Sequence, residues 1–258
     1  MPNITVEQAQ LFILIFLRVS TIIVLMPILG DASVPVRVKG GLSILITALL
    51  FPIVKIDAAV MGFDVATLFL RMAGEVMVGA VIGFTARLIF AGIQLAGQLV
   101  GFQMGFAIVN VIDPANNAQV SIIAEFLYLI AVLLFLSLNG HHMFISAIAE
   151  SFRLAPPPGF HLTGPLLQGL MTFMRDMFEV ALKIGAPVIA MMFFMSVGLG
   201  LVARTVPQIN VFIVGFPLQI AVGLIGIGLT MPFFVTIVGR CFGNLERGIY
   251  GLLRLMSV

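Results

Sequence analysis

From residue 211 to residue 238 the chain carries no ionised side chain, and similar apolar runs recur along its length. A helix that crosses a bilayer needs about 20 mainly apolar residues. Runs at 9–29, 65–90, 88–109, 121–138, 184–202 and 211–238 meet that need, and 40–54 falls short of it. Hydrophobic residues make up 61% of the chain and charged ones 9%, against about 25% charged in a soluble domain. The sequence therefore predicts an all-α integral membrane protein, or one piece of a membrane-embedded assembly. Before the first run stand Met1-Pro2-Asn3 and Glu7 with no basic residue, so the charged start of a cleaved signal is missing and the first run is expected to stay in the mature protein.

Pro52, Pro187, Pro217 and Pro232 lie in or beside these runs and predict breaks or kinks. Residues 142–152, 166–182 and 240–256 mix charge with apolar residues at helical spacing. They read as amphipathic helices or hairpin arms. Ala155-Pro156-Pro157-Pro158-Gly159 is the clearest loop. It divides a single domain, 1–258, into a first half ending at 155 and a second half from 160.

Charge sits where lipid would not accept it. Arg18 falls in the middle of the first run, Arg71 and Glu75 inside the third, and Glu125 interrupts the fifth. An arginine at a helix centre costs about 2.5–3.5 kcal/mol on insertion scales, so these residues are expected to face protein or water. Arg71 and Glu75, four apart, share a helical face and can form a partial internal pair. Arg18 has no partner at helical spacing, so another segment or another subunit must supply its acceptor. The chain reads poorly as a simple lipid-facing bundle.

Little here suggests catalysis. His141 and His142 are adjacent, but neighbours on a helix point about 100° apart and no carboxylate stands at ligand spacing. Capping or interhelical hydrogen bonding is the expected role, with no metal and no cofactor. No nucleophile elbow, paired acid–base carboxylates or phosphate-binding glycine loop occurs, so no enzymatic activity is expected. A net charge of +2 gives no basic face for nucleic acid, and the lone Cys241 excludes an intrachain disulfide. The 15 methionines, clustered at Met171, Met174, Met177 and at Met191, Met192, Met195, read chiefly as core filler.

Gly97, Gly101 and Gly105 recur every four residues, as do Gly79 and Gly83. Small residues on one face let backbones approach closely where lipid supplies no hydrophobic drive. The partner helix can lie in this chain or in another subunit. Directly after comes an amide-rich, helix-breaking segment with Asn110, Asp113-Pro114, Asn116, Asn117 and Gln119.

Several stretches in order resemble the FliR family of flagellar type III export-gate proteins. They are Arg18, Pro27 and Val34-Pro35-Val36-Arg37-Val38-Lys39; then Asp113-Pro114 and Gln119-Val120; then Asn139-Gly140-His141-His142, Ser151-Phe152 and Pro157-Pro158-Gly159. The resemblance covers essentially the whole chain. The injectisome SctT family is a close relative, and the Asn-Gly-His-His element favours the flagellar branch.

The resemblance implies kinked, tilted helical hairpins in a pore-enclosing complex with FliP-like and FliQ-like subunits. FlhB-like and FlhA-like proteins would stand beside it, at the flagellar basal body in the bacterial inner membrane. Unfolded flagellar proteins would be the cargo, with energy supplied by a soluble ATPase and the proton-motive force. It also implies a pore plug at 106–119: Phe106, Ala107, Ile108, Val109, Asn110, Val111, Ile112, Asp113, Pro114, Asn116 and Asn117. An ordinary interhelical loop is the alternative for that segment. For the chain as a whole the alternatives are an injectisome homologue and a small-solute membrane carrier, the latter needing a midplane site on broken helices.

Overall fold

The computed structural model describes residues 5–54, 65–106, 121–157, 160–206 and 211–256. Among them every regular element is a helix: α1 Val6–Leu25, α2 Val36–Leu50, α3 Val65–Gln103, α4 Ile122–Ser137, α5 Gly140–Leu154, α6 Gly164–Thr205 and α7 Val211–Met256. Four of these, α1, α3, α6 and α7, are long and apolar enough to cross a membrane. The pair α4 and α5, bent by 67°, can count as a fifth span.

The ends follow from local chemistry. Thr5 caps α1 by accepting from the Gln8 N–H, while the Gln8 side chain accepts from the Thr5 N–H, a reciprocal capping box. Ser121 caps α4, and Glu125 lies in its first turn, where the helix dipole favours an anion. That places Glu125 at the mouth of the apolar run rather than inside it. Between α4 and α5, Asn139 takes a left-handed conformation, φ 56°, which asparagine tolerates better than most residues. This single residue makes the corner.

The helices are longer than bilayer-length windows suggest. The run at 65–90 and the following run as far as Gln103 are one helix, as are 166–182 with 184–202, and 211–238 with 240–256. At 1.5 Å per residue the 39 residues of α3 extend about 58 Å, nearly twice a hydrocarbon core of about 30 Å. Charged residues had marked the seams, yet Arg, Lys and Glu are good helix formers and end nothing by themselves. Pro187 lies inside α6, and Pro217 and Pro232 inside α7, so the expected breaks do not occur. Only Pro52 falls beyond a helix end.

The chain folds as two compact units. The first comprises Met1–Leu88, Asn139–Met174 and Phe242–Val258; the second comprises Ile89–Leu138 and Arg175–Cys241. Each draws on sequence from both sides of the Pro-rich turn. In the first, α1 packs on α2, Phe12 meets Phe51 edge-on at 6.0 Å, and Ile15, Ile22, Ile82, Phe144 and Leu245 are fully buried. In the second, Phe90 meets Phe135 edge-on at 5.8 Å above a core that includes Ile93, Ala131 and Met192.

Candidate functional site

At the centre of the first unit is a charge. Arg18 on α1 is fully buried, and its acceptors come from other segments of the same chain. Arg18 Nε donates to Glu75 Oε2 at 2.6 Å and Nη2 to Glu75 Oε1 at 3.0 Å, a bidentate pair with α3. Nη1 donates to the Ser151 carbonyl at 2.8 Å and to Ser151 Oγ at 3.3 Å, and Nη2 to the Ala155 carbonyl at 2.8 Å. All five guanidinium N–H groups are thereby used. The Phe152 ring lies 4.2 Å from Cζ and covers one face of the cation.

The arrangement solves two problems together. Carbonyls at a helix end run short of intrahelical donors: at the end of α5 the Ser151 carbonyl accepts from the Ala155 N–H, and the Ala155 carbonyl lies beyond the last helical residue. Arg18 adds a second donor to the first and supplies one to the other, while Glu75 cancels its charge.

Glycine permits this geometry. A Cβ on Gly79 would stand 2.8 Å from the Arg18 carbonyl oxygen, and one on Gly83 would stand 2.5 Å from Leu25 Cβ. With only hydrogen at these positions, α3 lies directly against α1. Glu75, one turn before Gly79, then comes within reach of the guanidinium. Glu75 pairs with Arg18 rather than with Arg71, which is half-buried one turn away.

In the second unit the same α3 lies against α4. A Cβ on Gly97 would collide with the Ala124 backbone, and one on Gly101 with Ser121 Oγ. These two glycines thus take their close neighbours from within this chain. Gly105 differs in kind. Its φ of +87° lies in the left-handed region, and it ends α3. The Phe106 N–H donates to the Gly101 carbonyl and the Gly105 N–H to the Phe102 carbonyl, both at 3.1 Å, the bond pair of a Schellman stop. Of the expected plug, Phe106 is half-buried directly after that stop. Ala107, Ile108, Val109, Asn110, Val111, Ile112, Asp113, Pro114, Asn116 and Asn117 lie outside the described residues.

The remaining motif residues shape turns. Pro35 precedes α2, its carbonyl accepting from the Val38 and Lys39 N–H groups, and Arg37 is exposed on the first turn. Lys39 Nζ reaches back to the carbonyls of Gly30 and Asp31 at 2.9 and 2.8 Å and clamps the turn after α1. Inside that turn Ile28 adopts φ 76°, a strained value for a β-branched residue. Gly30 cannot carry a side chain there, because a Cβ would collide with the Val24 carbonyl. The reading of the sequence missed this clamp; its signal was Lys39 one turn into a helix that follows a glycine-containing turn. Gly140 is buried at the α5 start, and the His141 and His142 rings lie 4.2 Å apart, tilted by 42°. Among the described residues no three His, Cys, Asp or Glu side chains gather as a metal site.

Apolar helices of spanning length, broken at glycine and asparagine corners and locked by an internal ion pair, define an all-α membrane protein. The family model for bacterial export proteins, family 1, matches residues 9–245. The flagellar biosynthetic protein FliR of Bacillus subtilis (strain 168) is 34% identical, the match covering 99% of each chain. The FliR proteins of Escherichia coli (strain K12) and Pectobacterium carotovorum subsp. carotovorum are each 31% identical, over 95% of both chains and over 94% and 92% respectively. This chain belongs to the FliR family of bacterial export proteins.

Proposed function

We propose that this chain is a non-enzymatic subunit of the flagellar type III export gate, in the inner membrane at the basal body. It would line part of the channel through which unfolded flagellar proteins pass, packed against FliP-like and FliQ-like subunits with FlhB-like and FlhA-like proteins adjacent. The observation that carries this reading is the match with flagellar FliR proteins, which covers 99% of this chain and 99% of the Bacillus subtilis relative. Energy comes from elsewhere, from a soluble ATPase and the proton-motive force.

In the same reading, residues 106–119 plug the channel at rest. The abrupt stop of α3 at Gly105 supports it, because the chain leaves the helix just where the apolar stretch Phe106-Ala107-Ile108-Val109 begins. Small and medium apolar side chains can fill a narrow lumen, and Asp113-Pro114 prevents them from continuing a rigid span. The test is deletion of 107–116 in the assembled complex, followed by resting conductance in a planar bilayer. An open leak with intact assembly is expected. Intact assembly with unchanged conductance would remove the plug from the account.

A further inference from the structure

The hairpin of α1 and α2 is apolar on its outer side and polar within. Two of the three buried residues of α2 are Ser43 and Thr47, whose hydroxyls donate to the Lys39 and Ser43 carbonyls, both at 2.7 Å. Its exposed face carries Ile44, Leu45 and Leu49, the last two 58% and 62% exposed. On α1 the stretch Leu11–Leu25 holds three polar residues, Arg18, Ser20 and Thr21. Arg18 is buried in its ion pair, and the hydroxyls of Ser20 and Thr21 donate to the Leu17 carbonyl at 3.1 and 2.8 Å. Over these two stretches the hairpin turns only apolar groups and satisfied hydroxyls outward.

Both helices leave this apolar zone at the same two levels. Phe51, directly after α2, meets Phe12 at 6.0 Å, so α2 ends beside the first apolar turn of α1. Glu7, Gln8 and Gln10 precede that turn. At the other level Asp31 and Ser33 are exposed in the connecting turn, and Arg37 is exposed on the first turn of α2. Leu11–Leu25 rises about 22 Å at 1.5 Å per residue, and the 15 residues of α2 rise as far. A hydrocarbon core is about 30 Å thick. A protein neighbour would not require two helices to stop level at both ends, whereas a slab of hydrocarbon does. We propose that the outer face of this hairpin contacts lipid and thins the bilayer beside it by about 8 Å. Lipid contact here requires only that the chain is a membrane protein, whatever complex it joins. The thinning also serves the buried charge. Arg18 is the middle residue of Leu11–Leu25, so a thinner slab brings its ion pair nearer to water on both sides. Local thinning of this kind lowers the cost of a charge at mid-depth.

The chain has no tryptophan, so Leu45→Trp gives it a unique reporter on this face. The protein is reconstituted, with the partners that co-purify, in brominated dioleoyl phosphatidylcholine. Emission of the new tryptophan, taken as the difference from the parent, should be quenched by the bromines. Unbrominated short-chain dimyristoleoyl phosphatidylcholine should relieve that quenching about threefold more effectively than the long-chain dierucoyl lipid. Gln10→Leu with Arg37→Leu lengthens the apolar zone at both ends and should abolish the preference. A reporter that brominated lipid does not quench would mean that a protein subunit covers the face, and would overturn the lipid contact. Equal relief by the two lipids, or an unchanged short-lipid preference in the lengthened variant, would overturn the thinning. Should Leu45→Trp fail to fold, Leu49→Trp on the same face decides by the same readings.

Discussion

Arg18 and Glu75 stand 57 positions apart in the chain and close a two-bond ion pair with almost no exposure to solvent. Taking two charges out of water is expensive, and only good geometry with further hydrogen bonds offsets it. Here the further bonds are the α5 carbonyls of Ser151 and Ala155. Three segments of the first unit are tied at one guanidinium, so losing one partner exposes the rest.

Arg18→Leu should therefore cost about 3–5 kcal/mol, the usual penalty for leaving one buried charge without its partner. Arg18→Lys should recover only part of this, because an ammonium cannot reproduce the planar fork. Arg18→Leu combined with Glu75→Leu should be less harmful than Arg18→Leu alone, though the Ala155 carbonyl loses the donor that Arg18 supplied. Thermal stability of the purified complex ranks the four proteins. A double variant less stable than Arg18→Leu alone would refute the pairing.

The glycines separate into two classes with opposite expectations. Gly79→Leu and Gly97→Leu should destabilise strongly, since each side chain would push apart two helices in backbone contact. Gly101→Leu should weaken assembly for the same reason. Gly198 and Gly228 look onto open space, so Gly198→Ala and Gly228→Ala should be neutral or gain up to about 1 kcal/mol of helix propensity. Loss of folding in the second class, measured by yield and melting temperature, would show that those glycines serve a surface outside this chain.

How much of this could be read from residue order differs from helix to helix. The glycine spacing at 79 and 83 and at 97 and 101 announced close helix contacts, because a repeat of four is local to one helix face. The partners, α1 for one pair and α4 for the other, were not legible, since nothing in α3 encodes which distant helix will meet it. The buried Arg18 demanded an acceptor for the same physical reason. Glu75 was assigned to Arg71 because i,i+4 pairs are visible in sequence and a pair 57 residues apart is not. Helix ends were misjudged wherever bilayer length, rather than a capping residue, decided the boundary. The true stops were also missed as stops: Gly105 was read as a packing glycine inside a run to 109, and Asn139 only as a motif residue, although both residue types suit a left-handed corner.

The corner between α4 and α5 gives a third expectation. Asn139→Gly should be tolerated, Asn139→Ala should cost about 1–2 kcal/mol, and Asn139→Val more, because a side chain branched at Cβ crowds the left-handed conformation. Equal stability of the glycine and valine variants would mean that the corner is not left-handed.

The turn after α1 should loosen in acid. The Ser33 N–H and hydroxyl hold the Asp31 carboxyl below its ordinary pKa of 3.8, and Lys39 and Arg87 add to the effect. A carboxylate depressed in the folded state contributes stability that is present above its unfolded pKa and lost as pH falls through the folded one. Amide exchange at Ser33 and Val34, corrected for intrinsic rates, should therefore accelerate relative to neutral conditions only below about pH 4. Asp31→Asn should flatten that response. The same acid response in both proteins would exclude Asp31 as its source.

The central claim, that this chain is a gate subunit rather than a self-sufficient transporter, is tested most directly by mass measurement of the intact complex after co-expression. FliP-like and FliQ-like subunits should be recovered with this chain in one particle of defined mass. The chain expressed alone should aggregate or be degraded. A stable, monodisperse chain that folds by itself and gains no mass from those partners would contradict the account.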